Sequence, residues 1–365
     1  AGSAATGGAA GSSGAAGSAG SAGSAGSGGQ GPGTDLTITE CPAAPLTPPA
    51  SGTCEVTKTG TSGVILRGNV LAPNEVLHAG EVLIDAGGVI RCVACDCSGT
   101  AGAADAHVVT CAKGAISPGL INAHDHITYA NNLPYTQTTE RYDHRHEWRT
   151  GANGKTAIPY DDAAAKNVVH AAELRFVMSG ATSAISAGGQ IGLLRNLDVG
   201  SQKEGLGAMT VDSDTFPLGD ASGTMHDTGC NYGSNHTEPS DIAGLEGYSP
   251  HISEGINQAA RNELTCTNTG DHDVIEPQTA IVHSMAVTPT EAAPIAGEKA
   301  GGVWSPRSYV TLYGNTAPVT LHDKYGIGIA LGTDWLATGS MNLSRELACA
   351  RSMNNSMENR DARTN

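Results

Sequence analysis

Four apolar segments of the sequence each end in residues that can bind a metal ion or move a proton. The segment LINAHDH supplies His124 and His126, and alternate residues of a strand point to the same side, so both imidazoles can face one ion. The other three segments place these residues at or just past their ends: His251 and Glu254 in GYSPHISEG, His283 in TAIVHSM, and Asp334 in GIGIALGTD. Imidazole nitrogens and carboxylate oxygens are typical ligands of zinc. The four segments therefore predict a metal site, provided that the fold brings their ends together.

Short strands that alternate with helices must position these residues. From about residue 113 onward, strand-like runs alternate with segments at helical spacing, one of which ends at Gly180. This alternation predicts an α/β fold with a parallel sheet, and the number of units favours a (β/α)8 TIM-like barrel over an open sheet. In such a barrel all strands end on the same face, where the four segments would meet.

The chain divides into three predicted parts. Residues 1–40 are expected to be a disordered linker, because Gly, Ala and Ser make up nearly all of its first 33 residues. Residues 41–112 alternate in the manner of strands and contain Gly-Gly at a hairpin turn, which predicts a small N-terminal β-sandwich domain. Residues 113–365 form the predicted barrel domain.

The remaining histidines are assigned no function by their surroundings. They lie beside turns, charges or predicted helix surfaces, and are His78, His107, His144, His146, His170, His226, His236, His272 and His322. Two of them fall in a Gly-, Ser-, Thr- and Asn-rich stretch, about 218–245, which predicts a long loop. Long loops of barrels are commonly functional, so these two residues could line the mouth of a site.

The charge balance excludes some classes of partner. The chain has 20 basic and 36 acidic residues, a net charge of −16, and such a chain repels phosphate backbones and anionic lipid. No run of about 18 apolar residues is present, so no membrane span is predicted. We expect a small-molecule substrate, no nucleic-acid partner and, as an open possibility, a homo-oligomer.

Nine cysteines fall into groups that suggest disulfides. We expect one bond between Cys230 and Cys266, further bonds within the 41/54 pair and within the group 92–111, and a free thiol at Cys349. The alternative is a zinc site built from the four cysteines between residues 92 and 111, although the second half of a zinc ribbon is absent. These cysteines are Cys92, Cys95, Cys97 and Cys111.

The disulfides and the N-terminal tract together favour an extracytoplasmic location. The sequence starts at Ala1 rather than Met, so we expect a processed chain. The Gly-Ser-Ala repeat resembles the tether of bacterial surface lipoproteins, which implies the periplasm or cell surface and a lipid tether upstream of residue 1. The alternative is a low-complexity tail that indicates no particular cellular location.

The strand motifs resemble those of the amidohydrolase superfamily, whose members are metal-dependent hydrolases on a (β/α)8 barrel. PGLINAHDH is similar to the first-strand signature, and HISE, VHSM and LGTDW match later strand motifs in the right order over about residues 60–350. The likeness is strongest to the deaminases of guanine and S-adenosylhomocysteine and to the triazine chlorohydrolases. In that subgroup a His three residues before a Glu is diagnostic, and His251 and Glu254 have this spacing.

The resemblance implies a role for each strand-end residue. One divalent metal ion, zinc with iron as the alternative, would be held by His124, His126, His251 and Asp334. The resemblance implies that Glu254 shuttles protons, that His283 polarises the substrate, and that Asp334 also takes the proton of the attacking water. Members with two metals use a Lys on the fourth strand. The sequence has no Lys between Lys203 and Lys299, which favours one metal, with Asp212 or Asp214 as a bridge in the two-metal alternative.

The implied activity is hydrolysis of a C–N bond, in a cyclic amide, an amidine or an aminated heterocycle, by a metal-activated hydroxide. The alternatives are a dehalogenating hydrolase and a non-catalytic surface protein that keeps a metal-binding barrel. Trp304 and Arg307 lie near the predicted barrel mouth and are candidate substrate contacts, as is Tyr129. The family continues well past its last-strand Asp, whereas 31 residues follow Asp334, so we expect an incomplete C-terminal part.

Overall fold

The structure, a computed structural model, describes residues 37–205 and 210–355. The predicted linker lies outside the described residues except for 37–40, which form the first strand rather than linker. No helix among the described residues is long and apolar enough to cross a membrane.

The N-terminal part of the chain contains six strands. They are β1 (Thr37–Glu40), β2 (Glu55–Lys58), β3 (Val64–Ala72), β4 (Glu75–Ile84), β5 (Ile90–Ala94) and β6 (His107–Ile116). All six join one sheet in the order β1-β4-β3-β6-β2, with β5 also on β4, where the sequence predicted a sandwich. The single sheet arises because β4 is long enough to pair β3 along one side and β1 and then β5 along the other.

Three disulfides fasten this sheet. They are Cys41–Cys95, Cys54–Cys111 and Cys92–Cys97, so the expected bond within the 41/54 pair is wrong. The bond Cys92–Cys97 lies within the group 92–111, as expected, whereas the other two bonds cross between the groups because strands beside those cysteines lie close together in the sheet. Glu55 of β2 pairs with Thr110 of β6, for example, which brings the residues next to them together. With these cysteines in disulfides, the alternative zinc site does not exist.

Among the described residues, the second part of the chain contains eight strands and eight α-helices. The strands are β7 (Leu120–Asn122), β8 (Ala181–Ala184), β9 (Arg195–Asn196), β10 (Val211–Asp214), β11 (Gly247–Ile252), β12 (Ala280–His283), β13 (Gly301–Trp304) and β14 (Ile329–Leu331). The helices are α1 (Arg145–Thr150), α2 (Lys166–Val177), α3 (Pro239–Ile242), α4 (Gln258–Cys266), α5 (Pro289–Gly297), α6 (Pro306–Tyr313), α7 (Val319–Tyr325) and α8 (Leu343–Asn355).

All eight strands run parallel, as an α/β fold requires. They form a three-stranded sheet, β7-β8-β9, and a five-stranded sheet, β10-β11-β12-β13-β14. A parallel bridge between Asp125 and Asp334 connects the two sheets just past β7 and β14. Within the described ranges no paired register joins β9 to β10, so the strands follow one another around an arc that is not closed.

Local sequence explains where the helices begin. Thr288 and Glu291 form a reciprocal capping box at the start of α5, and the Asn257 side chain accepts a hydrogen bond from the Ala260 N–H at the start of α4. The helices bury their apolar faces against the strands in a core that includes Ile252 of β11. The strands are thereby held with their C-terminal ends on the same side.

Candidate metal and proton-transfer site

The strand ends singled out in the sequence meet at one place in the structure. His124 and His126 follow β7, His251 lies in β11, His283 ends β12 and Asp334 follows β14. All are buried except His126, which is partly exposed. His283 and Asp334 adopt positive φ angles of 79° and 56°, a strained conformation that persists where the surrounding structure enforces it and that is typical of functional sites.

The donor atoms of these side chains form two overlapping groups, each compact enough to hold an ion. His126 Nε2 lies 3.2 Å from His251 Nε2, and His124 Nε2 lies 3.3 Å from Asp334 Oδ1. Ligand atoms around a tetrahedral ion with bonds of about 2.0 Å are about 3.3 Å apart. Two triads have all their donor atoms within 4.8 Å of one another, and His124 belongs to both: His124, His126 and Asp334, and His124, His251 and His283.

The chemistry of the donors also fits a metal ion. The buried Nε2 of His124 and both ring nitrogens of His283 have no hydrogen-bond partner among the described residues. His251 Nδ1 lies 3.1 Å from the Asp214 carbonyl oxygen, a contact that places the ring proton on Nδ1 and leaves the Nε2 lone pair facing the site. An ion would therefore satisfy lone pairs that the protein leaves open.

Asp334 is held in place by hydrogen bonds from its neighbours. The Ser308 hydroxyl donates to Asp334 Oδ2 at 2.6 Å, and the Trp335 N–H donates to Oδ1 at 2.7 Å. Hydrogen bonds of this kind fix the orientation of a carboxylate that binds a metal ion.

Burial and neighbouring charges put these groups in the forms that bind a metal. Burial lowers the pKa of His126 and of His283 to about 3, and lowers that of His251 well below its usual value. Burial alone would raise the pKa of Asp334, but the neighbouring imidazoles of His124, His283 and His126 hold it below its usual value. Neutral imidazoles and an ionised carboxylate at neutral pH are the ligand forms required.

Glu254 lies beside this cluster and has a different electrostatic character. Its Oε2 is 3.3 Å from His283 Nε2, and its Oε1 accepts a hydrogen bond of 2.7 Å from the Tyr313 hydroxyl of α6. Burial raises the pKa of Glu254, so it holds a proton more readily than an exposed carboxyl group. Nothing in the sequence motif pointed to Tyr313, which lies 59 residues away.

The backbone at Glu254 is held by contacts that the sequence did not reveal. Ser253 has a φ of 61°, and its N–H donates to Glu263 Oε2 of α4 at 2.7 Å. The Glu254 carbonyl accepts from the Arg145 N–H at 2.9 Å. These bonds fix the turn that directs Glu254 into the site.

Two histidines to which the sequence assigned no function are fully buried near this turn. His144 Nε2 lies 3.1 Å from Glu263 Oε1, and His146 Nε2 lies 2.9 Å from Asp220 Oδ2, which also pairs with Arg145. Partners distant in the chain therefore compensate the charges of this segment. The sequence contained one indication of these contacts. The two histidines flank Arg145, and a charged residue that is buried needs a partner.

The cluster opens into a cavity of about 410 Å³. His126, His251, Glu254, His283 and Asp334 line it. Aromatic rings form much of the rest of its wall, from Tyr129, Trp148, Tyr160, Phe216 and Trp335, with Arg149 among them. The dimensions and the flat aromatic surfaces suit a small planar molecule.

The two candidate substrate contacts, Trp304 and Arg307, do not line this cavity. Trp304 is buried in the core and donates from Nε1 to the Thr316 hydroxyl at 2.7 Å. Arg307 is exposed and donates from Nε to the Ser340 hydroxyl at 2.9 Å. The prediction fails because Trp304, the last residue of β13, packs in the core, and Arg307, in the first turn of α6, is exposed to solvent. Tyr129 does line the cavity.

The acidic residues of the two-metal alternative are engaged elsewhere. Asp214 Oδ2 accepts hydrogen bonds from the hydroxyls of Thr237 and Tyr248, and Asp212 is exposed. Neither belongs to a metal-binding triad within the described part of the chain.

Comparisons with known proteins found similarity only among solved structures. No protein-family model and no curated protein sequence matches this chain. It is similar to an adenosine deaminase from Xanthomonas campestris with bound zinc, with 14% identity and a TM-score of 0.46 over 83% of this chain and 77% of that one. It is also similar to the aminofutalosine deaminase of Helicobacter pylori, with 14% identity and a TM-score of 0.48 over 78% and 80%.

A third similar structure is an atrazine chlorohydrolase from Arthrobacter aurescens complexed with zinc, with 15% identity and a TM-score of 0.45 over 75% of this chain and 72% of that one. The three solved structures are those of two deaminases and a chlorohydrolase. What this chain does must be inferred from its own residues.

Proposed function

We propose that this chain is a metal-dependent hydrolase that uses water to break a C–N bond in a cyclic amide, an amidine or an aminated heterocycle. One observation carries the proposal. Three metal-binding imidazoles and Asp334 converge in a buried site, directly beside a second carboxyl group, Glu254, whose pKa is raised by burial. One carboxylate that stays ionised and another that can hold a proton are what hydrolysis of such a bond needs.

His124, His126, His251 and Asp334 would hold one divalent ion, for which zinc is the best match to three nitrogen donors and one oxygen donor. When bound, such an ion acts as a Lewis acid that lowers the pKa of a water molecule toward neutrality. His283 is the remaining imidazole of the cluster. Its contact with Glu254 places it on the side where a substrate would lie.

The residues of the chain have separate tasks in this reaction. Asp334 is ionised and accepts the proton of the attacking water, whose oxygen bonds to the electrophilic carbon of the substrate. His283, neutral at pH 7, can donate a hydrogen bond to the oxygen or nitrogen on which negative charge develops. Glu254, oriented by Tyr313, delivers a proton to the departing nitrogen and regains one when the proton taken up by Asp334 is passed on. A cyclic amide opens to a chain that carries a carboxylic acid and an amine, whereas an amidine or an aminated heterocycle gives an oxo compound and ammonia or an amine.

We further propose that the eight parallel strands belong to a (β/α)8 barrel over residues 113–365, with the N-terminal β domain at 41–112. The bridge between Asp125 and Asp334, which links the first strand of the domain to its last, supports this arrangement. The four disulfides support an oxidising, extracytoplasmic location.

A substrate screen tests the proposed reaction. Zinc-loaded protein is incubated with a panel of cyclic amides, amidines and aminated heterocycles. Ring opening of the amides, seen as a new amino group in the product, and ammonia or amine release from the other two classes are measured against the same protein treated with a chelator. We expect zinc-dependent turnover of at least one class. Halide release from chlorinated heterocycles without ammonia release would favour the dehalogenating alternative, and zinc occupancy without turnover across the panel would favour the non-catalytic one.

A further inference from the structure

Two arginines of α1 line the catalytic cavity, and only one of them is paired with carboxylates. Arg145 forms ion pairs with Asp220 and, at 3.6 Å, with Glu263. Arg149, four residues further along the helix, forms no ion pair within the part of the chain that the structure describes; its guanidinium group contacts uncharged groups instead. The cavity wall therefore carries one positive charge that the protein does not pair.

The polar partners of Arg149 hold its side chain without neutralising it. Its Nη1 donates to His146 Nδ1 at 2.8 Å, and its Nη2 donates to the Ala221 carbonyl oxygen at 3.3 Å. Because an arginine can only donate, His146 accepts through Nδ1, and its proton lies on Nε2, where it faces Asp220. Burial lowers the pKa of His146, which keeps this ring neutral.

The two guanidinium groups differ in their electrostatics. Burial alone would lower the pKa of Arg145, but the charges of Glu263 and Asp220 raise it. For Arg149, burial and the charge of Arg145 lower the pKa, although an arginine stays cationic at neutral pH. A half-buried cation without a counter-ion is unfavourable, and an anionic ligand would relieve this cost.

Arg149 also belongs to the aromatic wall of the cavity. Its Cζ atom lies 4.3 Å from the centre of the Phe216 ring. The rings of Trp148 and Trp335, stacked with their centres 5.2 Å apart, line the same cavity. Stacking fixes the plane of the guanidinium group, whose paired N–H groups match the two oxygens of a carboxylate. The wall thus offers apolar surface to a planar ring and one fixed positive charge to a substituent on that ring.

The acidic residues of the cavity leave this charge available. Glu254 and Asp334 belong to the metal and proton-transfer site, and Asp162 is exposed and forms no ion pair among the described residues. The net charge of −16 repels anions from the protein as a whole, so a preference for an anionic ligand must come from a local cation. Arg149 is the residue of the cavity wall that can supply it.

We propose that Arg149 binds a carboxylate of the substrate, so that the preferred substrates are planar cyclic amides or aminated heterocycles that carry a carboxylic acid group. The inference rests on the proposed hydrolysis for the reaction, but not for the binding of the anion. One unpaired guanidinium matches the single negative charge of a carboxylate, whereas a phosphate dianion would need further donors. Arg149 is then a specificity-determining residue of the site.

Binding of small planar probes tests the proposal without a need for turnover. The full-length, zinc-loaded protein is titrated by calorimetry at pH 7 with benzoate, with its neutral analogue benzamide, and with the cationic benzylamine. We expect Arg149→Gln to weaken the binding of benzoate about 10-fold, the scale of a charge-assisted hydrogen bond, and to leave that of benzamide unchanged. Arg149→Lys, which keeps the charge but not the planar fork, should lose less.

Arg345→Gln is the matched control. Arg345 is exposed on α8 and does not line the cavity, so its replacement should leave the binding of all three probes unchanged. Circular dichroism and zinc content check that each variant is folded. Three results would overturn the proposal: unchanged benzoate affinity in Arg149→Gln, an equal loss in Arg345→Gln, or tighter binding of benzylamine than of benzoate by the wild type, which would make Asp162 the residue that sets the charge preference.

The substrate screen separates this proposal from the proposed hydrolysis. Zinc-dependent turnover of neutral substrates, together with benzoate binding that does not depend on Arg149, would overturn the carboxylate site and leave the hydrolysis standing. Arg149-dependent binding of benzoate without turnover of any compound would support the carboxylate site and contradict the hydrolysis.

Discussion

Glu254 combines a raised pKa with a position between His283 and Tyr313, which makes it the group whose removal should affect the reaction most selectively. Glu254→Gln keeps the size of the side chain and removes its transferable proton. We expect the metal content and the fold to be retained and turnover to fall about 100-fold or more, the usual scale for loss of general acid–base catalysis. The rate is measured on any substrate found in the screen.

Glu298→Gln serves as the control for this prediction. Glu298 is an exposed carboxylate at the end of α5, and its replacement should leave the rate unchanged. Near wild-type turnover in a Glu254→Gln protein with full metal occupancy would contradict the assigned role.

The first metal-binding segment allows a direct test of the ligand set. His124→Ala with His126→Ala removes two imidazoles whose Nε2 atoms both face Asp334 Oδ1, at 3.3 and 3.9 Å. We expect this variant to lose the catalytic zinc and all turnover, because two protein ligands remain of the proposed four. Bound zinc is counted by elemental analysis. An unchanged count in the double variant would refute the ligand set.

The burial of Glu346 in α8 leads us to predict that the stability of the protein depends on pH. Burial raises its pKa from 4.5 to about 7, although the Arg307 N–H donates to its Oε1 at 3.0 Å. Because the folded state holds this proton more tightly than the unfolded chain, the stabilising contribution is complete below about pH 4.5 and is lost as the pH rises toward 7. Glu346→Gln, which cannot ionise, should therefore be more stable than the wild type at pH 8, by about 1–3 kcal/mol.

Urea unfolding at pH 5 and pH 8 measures this difference. The advantage of the variant should shrink toward zero at the lower pH. Parallel pH profiles of the two proteins would show that Glu346 does not ionise within this range.

At the scale of elements, disulfides hold together segments that would otherwise be only loosely packed. The bond between Cys230 and Cys266 was predicted from the sequence and is confirmed. It closes a loop with a sequence separation of 36, for which the chain-entropy relation gives about 3–4 kcal/mol. Cys230→Ser with Cys266→Ser should lower the free energy of unfolding by about this amount, whereas Cys349→Ser, at a free cysteine, should cost much less.

Thiol counting gives a second measurement at this scale. Under denaturing, non-reducing conditions we expect one free thiol per chain, that of Cys349, because the other eight cysteines are paired. A count close to nine would contradict both the disulfide pairing and the proposed extracytoplasmic location.

The whole molecule is needed to assemble the metal site, since its ligands come from strands as far apart in the chain as β7 and β14. An unfolded chain cannot present them together, so zinc should bind the folded state selectively. At a free zinc concentration 100 times the Kd, the free energy of unfolding should rise by about 2.7 kcal/mol. Unfolding with and without zinc measures this.

His124→Ala with His126→Ala should abolish the zinc effect. A zinc-induced gain that survives these substitutions would mean that the stabilising ion is bound elsewhere.

The strand-end residues show how much of the site could be predicted from the sequence. His124, His251, His283 and Asp334 each follow an apolar run, and a run of this kind forms a strand largely through local preferences and burial. Parallel strands place their ends on one side, so local patterns and topology were sufficient to bring the donors together. The parallel α/β architecture and the helix starts were predictable for the same reason.

Other features were decided only by the tertiary structure, because they depend on which distant segments become neighbours. Cys41 pairs with Cys95 since β1 and β5 lie along the same strand, a relation that no spacing in the sequence encodes. His144 can be buried because Glu263, 119 residues away in the chain, pairs with its ring. The packing of Trp304 in the core rather than in the cavity wall has the same origin. Sequence pattern determines which side chains stand at the ends of elements, whereas the packing of those elements determines what each side chain meets.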